Sequence, residues 1–97
     1  MTSHIIHALG MRNLLHHLDR VCRRRGVTPE QLCSRGRTQA VVRARQELWW
    51  QLRHDPEHHY SLSEIACLFG RDHSTVLYGI HAHRQRLDTL PNRLQQP

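Results

Sequence analysis

The clearest alternation of apolar and polar positions lies in residues 61–81. Leu62, Ile65, Ala66 and Phe69 recur at helical spacing, Gly70 interrupts the pattern, and Val76, Leu77, Ile80 and Leu87 resume it on one face. Ser61 and Glu64 spell an S-x-x-E capping box, in which a hydroxyl and a carboxylate satisfy free amides at a helix start. Gly70 supplies the stop, because a residue without a β-carbon enters the left-handed region at little cost. Asp72 stands where the next helix needs a cap. The stretch therefore predicts a helix, a tight turn and a second helix.

Upstream, Ile5, Ile6, Leu9, Leu14, Leu15, Leu18, Val21 and Cys22 fit a helix from about His4 to Arg25, with Gly10 as its break. Ile5, Ile6 and Leu9 need cover, either from the domain itself or from a second copy, the latter giving a homodimer through the N-terminal helix. Arg23, Arg24 and Arg25 complement the negative end of the helix dipole, and Gly26 ends it. Thr28-Pro29-Glu30-Gln31 is a second start signal, followed by a single turn through Leu32 and Cys33. Arg35-Gly36-Arg37 forms a short basic loop. From about Thr38 to His54 a long helix presents Val41, Ala44, Leu48, Trp49 and Leu52 on its apolar face, with Arg43, Glu47, Gln51 and Arg53 mostly elsewhere. Trp49 reads as core and Trp50 as partly exposed. Asp55-Pro56 breaks this helix, and Gly79 inside the last one marks a close approach to a neighbouring helix or to a ligand. The expected organisation is an N-terminal extension over residues 1–11, one all-α domain over residues 12–87, and a frayed tail over residues 88–97.

Composition narrows the partners. The 97 residues, 38% of them hydrophobic, allow one small domain whose core is marginal unless most of the chain is helical. A net charge of +6 and a pI near 10.6 point to an anionic partner, most simply nucleic acid. Cys22, Cys33 and Cys67 are odd in number and widely spaced, which fits reduced, packed thiols in a cytoplasmic protein. No secretory signal is read at the N-terminus, and no run approaches the roughly 20 apolar residues of a membrane span. His58 and His59 have no cysteine or carboxylate at ligand spacing, so no metal or cofactor is expected. Asp72, His73 and Ser74 spell a triad only on paper: neighbours on a helix project in different directions, so no catalytic residue is expected.

The polar residues Arg71, Asp72, His73, Ser74 and Thr75 at the start of the second helix carry donors, acceptors and a methyl, as a recognition helix needs to meet base edges. The run Phe69-Gly70-Arg71-Asp72-His73-Ser74-Thr75-Val76-Leu77 resembles the signature of the C-terminal DNA-binding domain of the bacterial replication initiator DnaA, which has two glycines followed by R-D-H-T-T-V-L. Arg43-Ala44-Arg45-Gln46 resembles that family's R-P-R-Q, and Ser34-Arg35-Gly36-Arg37-Thr38 its basic loop. The resemblance extends from about Asn13 to Leu87. One turn glycine is missing, Ser74 replaces a threonine, and Ala44 replaces a proline.

The resemblance implies a Trp-repressor-like helical fold that binds double-stranded DNA sequence-specifically. Asp72, His73, Ser74 and Thr75 would read bases in the major groove, and Arg37 would enter the adjoining minor groove, where negative potential is concentrated. Arg35, Arg45, Gln46, Ser61 and Arg71 would set register on phosphates. The chain has no G-x-x-x-x-G-K-[ST] loop and is too short for an initiator's ATPase module, so by itself it should not initiate replication. A transcription regulator or a modulator of replication at initiator-type boxes is the expected role, in the nucleoid. The alternative is an interaction or dimerisation module that keeps the fold without specific DNA binding.

Overall fold

The computed structural model describes residues 2–89, and these form helices joined by short turns. In chain order they are α1 (Thr2–Met11), α2 (Leu15–Arg25), α3 (Pro29–Cys33), α4 (Gln39–Arg53), α5 (Leu62–Phe69) and α6 (His73–Asp88). The architecture is all-α, as the periodicity requires. The expected frayed tail lies almost wholly outside the described residues.

The two predicted capping boxes both form. The Thr28 and Ser61 hydroxyls accept from the amides of Gln31 and Glu64, whose side chains accept in return from the Thr28 and Ser61 amides. Gly26 and Gly70 adopt φ of 68° and 61°, the left-handed geometry that closes α2 and α5. The N-terminal helix breaks later than expected. Gly10 stays helical, and the reversal falls at Asn13, a non-glycine residue with φ of 59°. Asparagine tolerates that region better than other side chains, and the Leu14 amide donates back to Leu9 across the turn at 2.9 Å.

Helix α4 is the axis of the core. It packs on α6, α2, α3 and α5, burying Ala44, Leu48, Trp49 and Leu52. Helix α1 packs on α3, α5 and α2, with Leu9 fully buried and Ile5 and Ile6 against the core. Leu9 is therefore covered by its own chain and Ile5 and Ile6 pack partly buried against it, so a second copy is not needed to cover these three, while Met11 stays 75% exposed. Gly79 faces α4: a β-carbon there would stand 2.7 Å from the Trp49 ring. The missing side chain lets α6 close on the indole, so the close approach is to a helix.

Three apolar or polar assignments fail at the level of packing. Leu77 is 36% exposed, one step round from the buried Val76 and Ile80. Cys67 is exposed, unlike Cys22 and Cys33, whose thiols burial raises to about 11 and about 12 and so keeps neutral. Glu47, placed by pattern off the apolar face, is buried and receives Arg24 and Arg25 from α2, the latter at 2.7 Å.

Candidate nucleic-acid interface

The turn between α5 and α6 is built with a single left-handed glycine. The Arg71 amide donates to the Ala66 carbonyl at 3.0 Å and the Gly70 amide to Cys67, closing the helix end in a Schellman-type pattern. Phe69, where a second glycine is absent, is instead buried and makes an edge contact with Trp49 at 5.8 Å between ring centroids. The aromatic pair anchors the turn on α4. Asp72 then occupies the cap position of α6 in extended geometry, yet its carboxylate makes no cap hydrogen bond. Asp72, His73, Ser74 and Thr75 are all exposed. The first turn of α6 thus presents a carboxylate, an imidazole and two hydroxyls outward, with Val76 anchoring it in the core.

A cluster of arginines adjoins this turn. Arg35 and Arg37 are exposed on the α3–α4 loop, and Arg71 donates to the Ser34 carbonyl at 3.1 Å, tying the loop to the turn. The loop is held from beneath by Arg45, 4% exposed, whose guanidinium donates to the carbonyls of Leu32 at 3.0 Å, Ser34 at 2.6 Å and Gly36 at 3.2 Å. Burial and the nearby Arg71 lower Arg45 to about 10, still charged at neutral pH. Burial, followed by Arg35 and Arg37, likewise lowers Arg71. Among the described residues no carboxylate pairs with Arg35, Arg37 or Arg71. These side chains, with Thr75 and Tyr78 from α6 and Val42 from α4, line one shallow depression. Like charges held together without a counter-ion raise the local potential for an anion.

Comparison with known proteins agrees with this arrangement. A family profile described as the bacterial dnaA protein helix-turn-helix matches residues 18–82. The chain belongs to the bacterial DnaA helix-turn-helix family. It is 33% identical over 88 residues to the chromosomal replication initiator protein DnaA of Deinococcus radiodurans, an alignment covering 80% of this chain and 18% of that protein. The chain therefore spans a minor part of its relative's length. No solved structure matches it.

Within the DnaA-type domain, the residues singled out by sequence do not all stand alike. Arg35, Arg37, Arg71, Asp72, His73, Ser74 and Thr75 come together around the turn. Arg45 lies beneath them, its donors directed at backbone carbonyls. Gln46 is 8% exposed and its Oε1 accepts from Arg86 of α6. The Ser61 amide is taken by the Glu64 carboxylate at 2.9 Å and its hydroxyl oxygen by the Glu64 amide, so only the hydroxyl proton is left to offer. Ala44, at the family's proline position, is fully buried in an uninterrupted α4. Tyr78, 72% exposed, continues the outward face of α6 beyond Thr75. No helix among the described residues is long and apolar enough to cross a membrane.

Sequence reasoning missed a second polar centre away from this face. His17 and Asp55, both buried and 38 residues apart, meet at 2.7 Å. The hydrogen bond from His17 and the Glu57 and His58 amides hold Asp55 below the usual carboxylate range against the opposing effect of burial. No local spacing signals a partnership between α2 and the end of α4.

Proposed function

We propose that this chain binds double-stranded DNA sequence-specifically and acts at initiator-type boxes as a regulator of transcription or a modulator of replication. The observation that carries the reading is the convergence of Arg35, Arg37 and Arg71, none paired with a carboxylate, on the exposed first turn of α6. Helix α6 enters the major groove. Asp72 accepts from a cytosine amine, His73 offers an imidazole N–H or nitrogen, and Ser74 and Thr75 meet adenine or thymine edges. Arg37 enters the neighbouring minor groove, and Arg35 and Arg71 grip phosphates. Arg45 and Gln46 act as positioning residues: Arg45 fixes the basic loop, and Gln46 links α4 to α6 through Arg86. The Ser61 hydroxyl and the Tyr78 phenol add single donors at the margin.

The role is one of binding without catalysis. DNA opening and nucleotide hydrolysis are not assigned to this chain, because the matched region is 18% of a named replication initiator. Fluorescence anisotropy at near-physiological salt tests the reading, using a duplex that carries an initiator-type box and a scrambled duplex, with Arg37→Ala and His73→Ala beside the parent chain. Preference for the box, lost in both variants, is expected. Equal binding to both duplexes, unchanged by either substitution, would contradict it and favour an interaction module that keeps only the fold.

A further inference from the structure

The His17–Asp55 centre has a geometry that a simple buried ion pair does not require. His16 and His17 lie side by side on α2 with ring centroids 4.2 Å apart. One ligand atom from each of His16, His17 and Asp55 falls within 4.8 Å of the other two. Asp55 is fixed as a ligand would be: its Oδ1 accepts from the Glu57 and His58 amides at 2.8 and 3.0 Å, leaving Oδ2 aimed at His17 Nε2.

The ring of His17 is oriented from its other side. Gln51 Nε2 donates to Glu47 Oε2 at 3.2 Å, which turns the amide oxygen of Gln51 toward His17 Nδ1 at 3.3 Å. Both nitrogens of His17 thus face oxygen acceptors. A neutral imidazole carries one N–H, so a ring that gives it to Asp55 keeps Nδ1 as the nitrogen that faces the Gln51 oxygen. In the metal-free chain Nε2–H is donated to Asp55 at 2.7 Å; a metal at Nε2 would take that proton's place, and Nδ1–H would then donate to Gln51. A ring whose second nitrogen donates to a fixed oxygen, beside an oriented carboxylate, is the usual outer support of a metal-binding histidine.

We propose that His16, His17 Nε2 and Asp55 Oδ2 form a binding site for a divalent transition-metal cation of the zinc type, with water completing a tetrahedron. Two imidazoles and one carboxylate suit that cation class better than magnesium or calcium, which favour oxygen-only shells. Zinc ligands at about 2.0 Å from the metal stand about 3.3 Å apart. Closure therefore needs the 2.7 Å His17–Asp55 contact to open by about 0.6 Å, while the exposed His16 ring swings in. The metal would clamp the start of α2 to the loop after α4. It is a site for stability or for sensing metal, on residues separate from those proposed to meet DNA.

The test is isothermal titration calorimetry of the full chain with zinc chloride, paired with thermal unfolding with and without the metal. The parent is expected to bind one equivalent and to gain several degrees in Tm, since a ligand that binds only the folded state stabilises it. His16→Ala changes an exposed side chain, so the metal-free fold should hold while zinc affinity falls at least tenfold and the Tm gain disappears. His58→Ala with His59→Ala should keep both binding and gain. Absence of binding would overturn the proposal. Binding that survives His16→Ala, or that is lost with His58 and His59 instead, would also overturn it, marking adventitious capture by a chain with 10 histidines.

Discussion

Two arginine clusters in this molecule look alike as text and differ as chemistry. Arg24 and Arg25, in the run Arg23-Arg24-Arg25, reach a carboxylate, Glu47, that is 1% exposed. Arg35, Arg37 and Arg71 surround the α5–α6 turn with no carboxylate among the described residues to receive them. The first cluster closes the α2–α4 packing. In the second, the cations remain available for an external anion. Charge count cannot separate them; the position of the carboxylate does. The triple arginine, read from the sequence as a complement to the α2 dipole, also has a specific carboxylate to reach.

The largest expected effect lies in the paired cluster. Glu47→Ala leaves two cations around a buried gap and should cost about 3 kcal/mol of unfolding free energy. That is the lower end of the range for breaking a buried pair, because Arg24 is itself half exposed. Denaturant unfolding measures it, and a loss below about 1 kcal/mol would mean that the pair is solvated and the contrast between clusters false. In the unpaired cluster the opposite profile is expected. Arg37→Ala should leave the unfolding midpoint unchanged and weaken binding to a box-bearing duplex by about 1–3 kcal/mol, roughly fivefold to 150-fold.

Smaller effects test the packing that joins the two clusters through α4 and α6. Gly79→Ala gains about 1 kcal/mol of helix propensity, but its β-carbon meets the Trp49 ring at 2.7 Å. The expected net is a loss of about 1 kcal/mol, because overpacking costs about 1–3. A stabilised variant would show that Trp49 moves freely. The last effect is one of pH. His83 is 5% exposed, and burial lowers its pKa, with Arg25, Arg86 and Arg24 acting in the same direction and Glu47 against them. The folded state therefore resists a proton that the unfolded state accepts. Stability contributed by neutral His83 is full above the ordinary value of 6.5 and is lost as pH falls through the folded pKa. Relative to the parent, His83→Leu should lose less stability between pH 7 and pH 5, as read from paired unfolding curves.

The helices and turns were legible because their signals are local. Ser61 with Glu64, Thr28 with Gln31, and Gly26 and Gly70 all act within one turn of chain, and each works as read. The exposed face of α6 was legible for the same reason, since Val76 and Ile80 fix which way Asp72 to Thr75 look out. What escaped depends on distance in sequence. Glu47 sits near the apolar stripe, and only the approach of α2 reveals it as a buried acceptor. His17 meets Asp55 across 38 residues. Arg45 carries the basic residue of the family's R-P-R-Q segment, but its fold neighbours are the three carbonyls of the loop it supports. The N-terminal break was misplaced at Gly10 because glycine is the usual suspect, whereas Asn13 makes the left-handed turn.

The contrast between the two clusters is tested most directly by the salt dependence of DNA affinity. Anisotropy titrations from 50 to 200 mM salt would compare the parent chain with Arg71→Ala and Arg24→Ala on one box-bearing duplex. Each phosphate contact contributes about 0.9 to the slope of log K against log salt. Arg71→Ala should flatten the slope by about one, and Arg24→Ala should leave it unchanged. An unchanged slope for Arg71→Ala, or an equal flattening for Arg24→Ala, would contradict the assignment of DNA binding to the unpaired arginines.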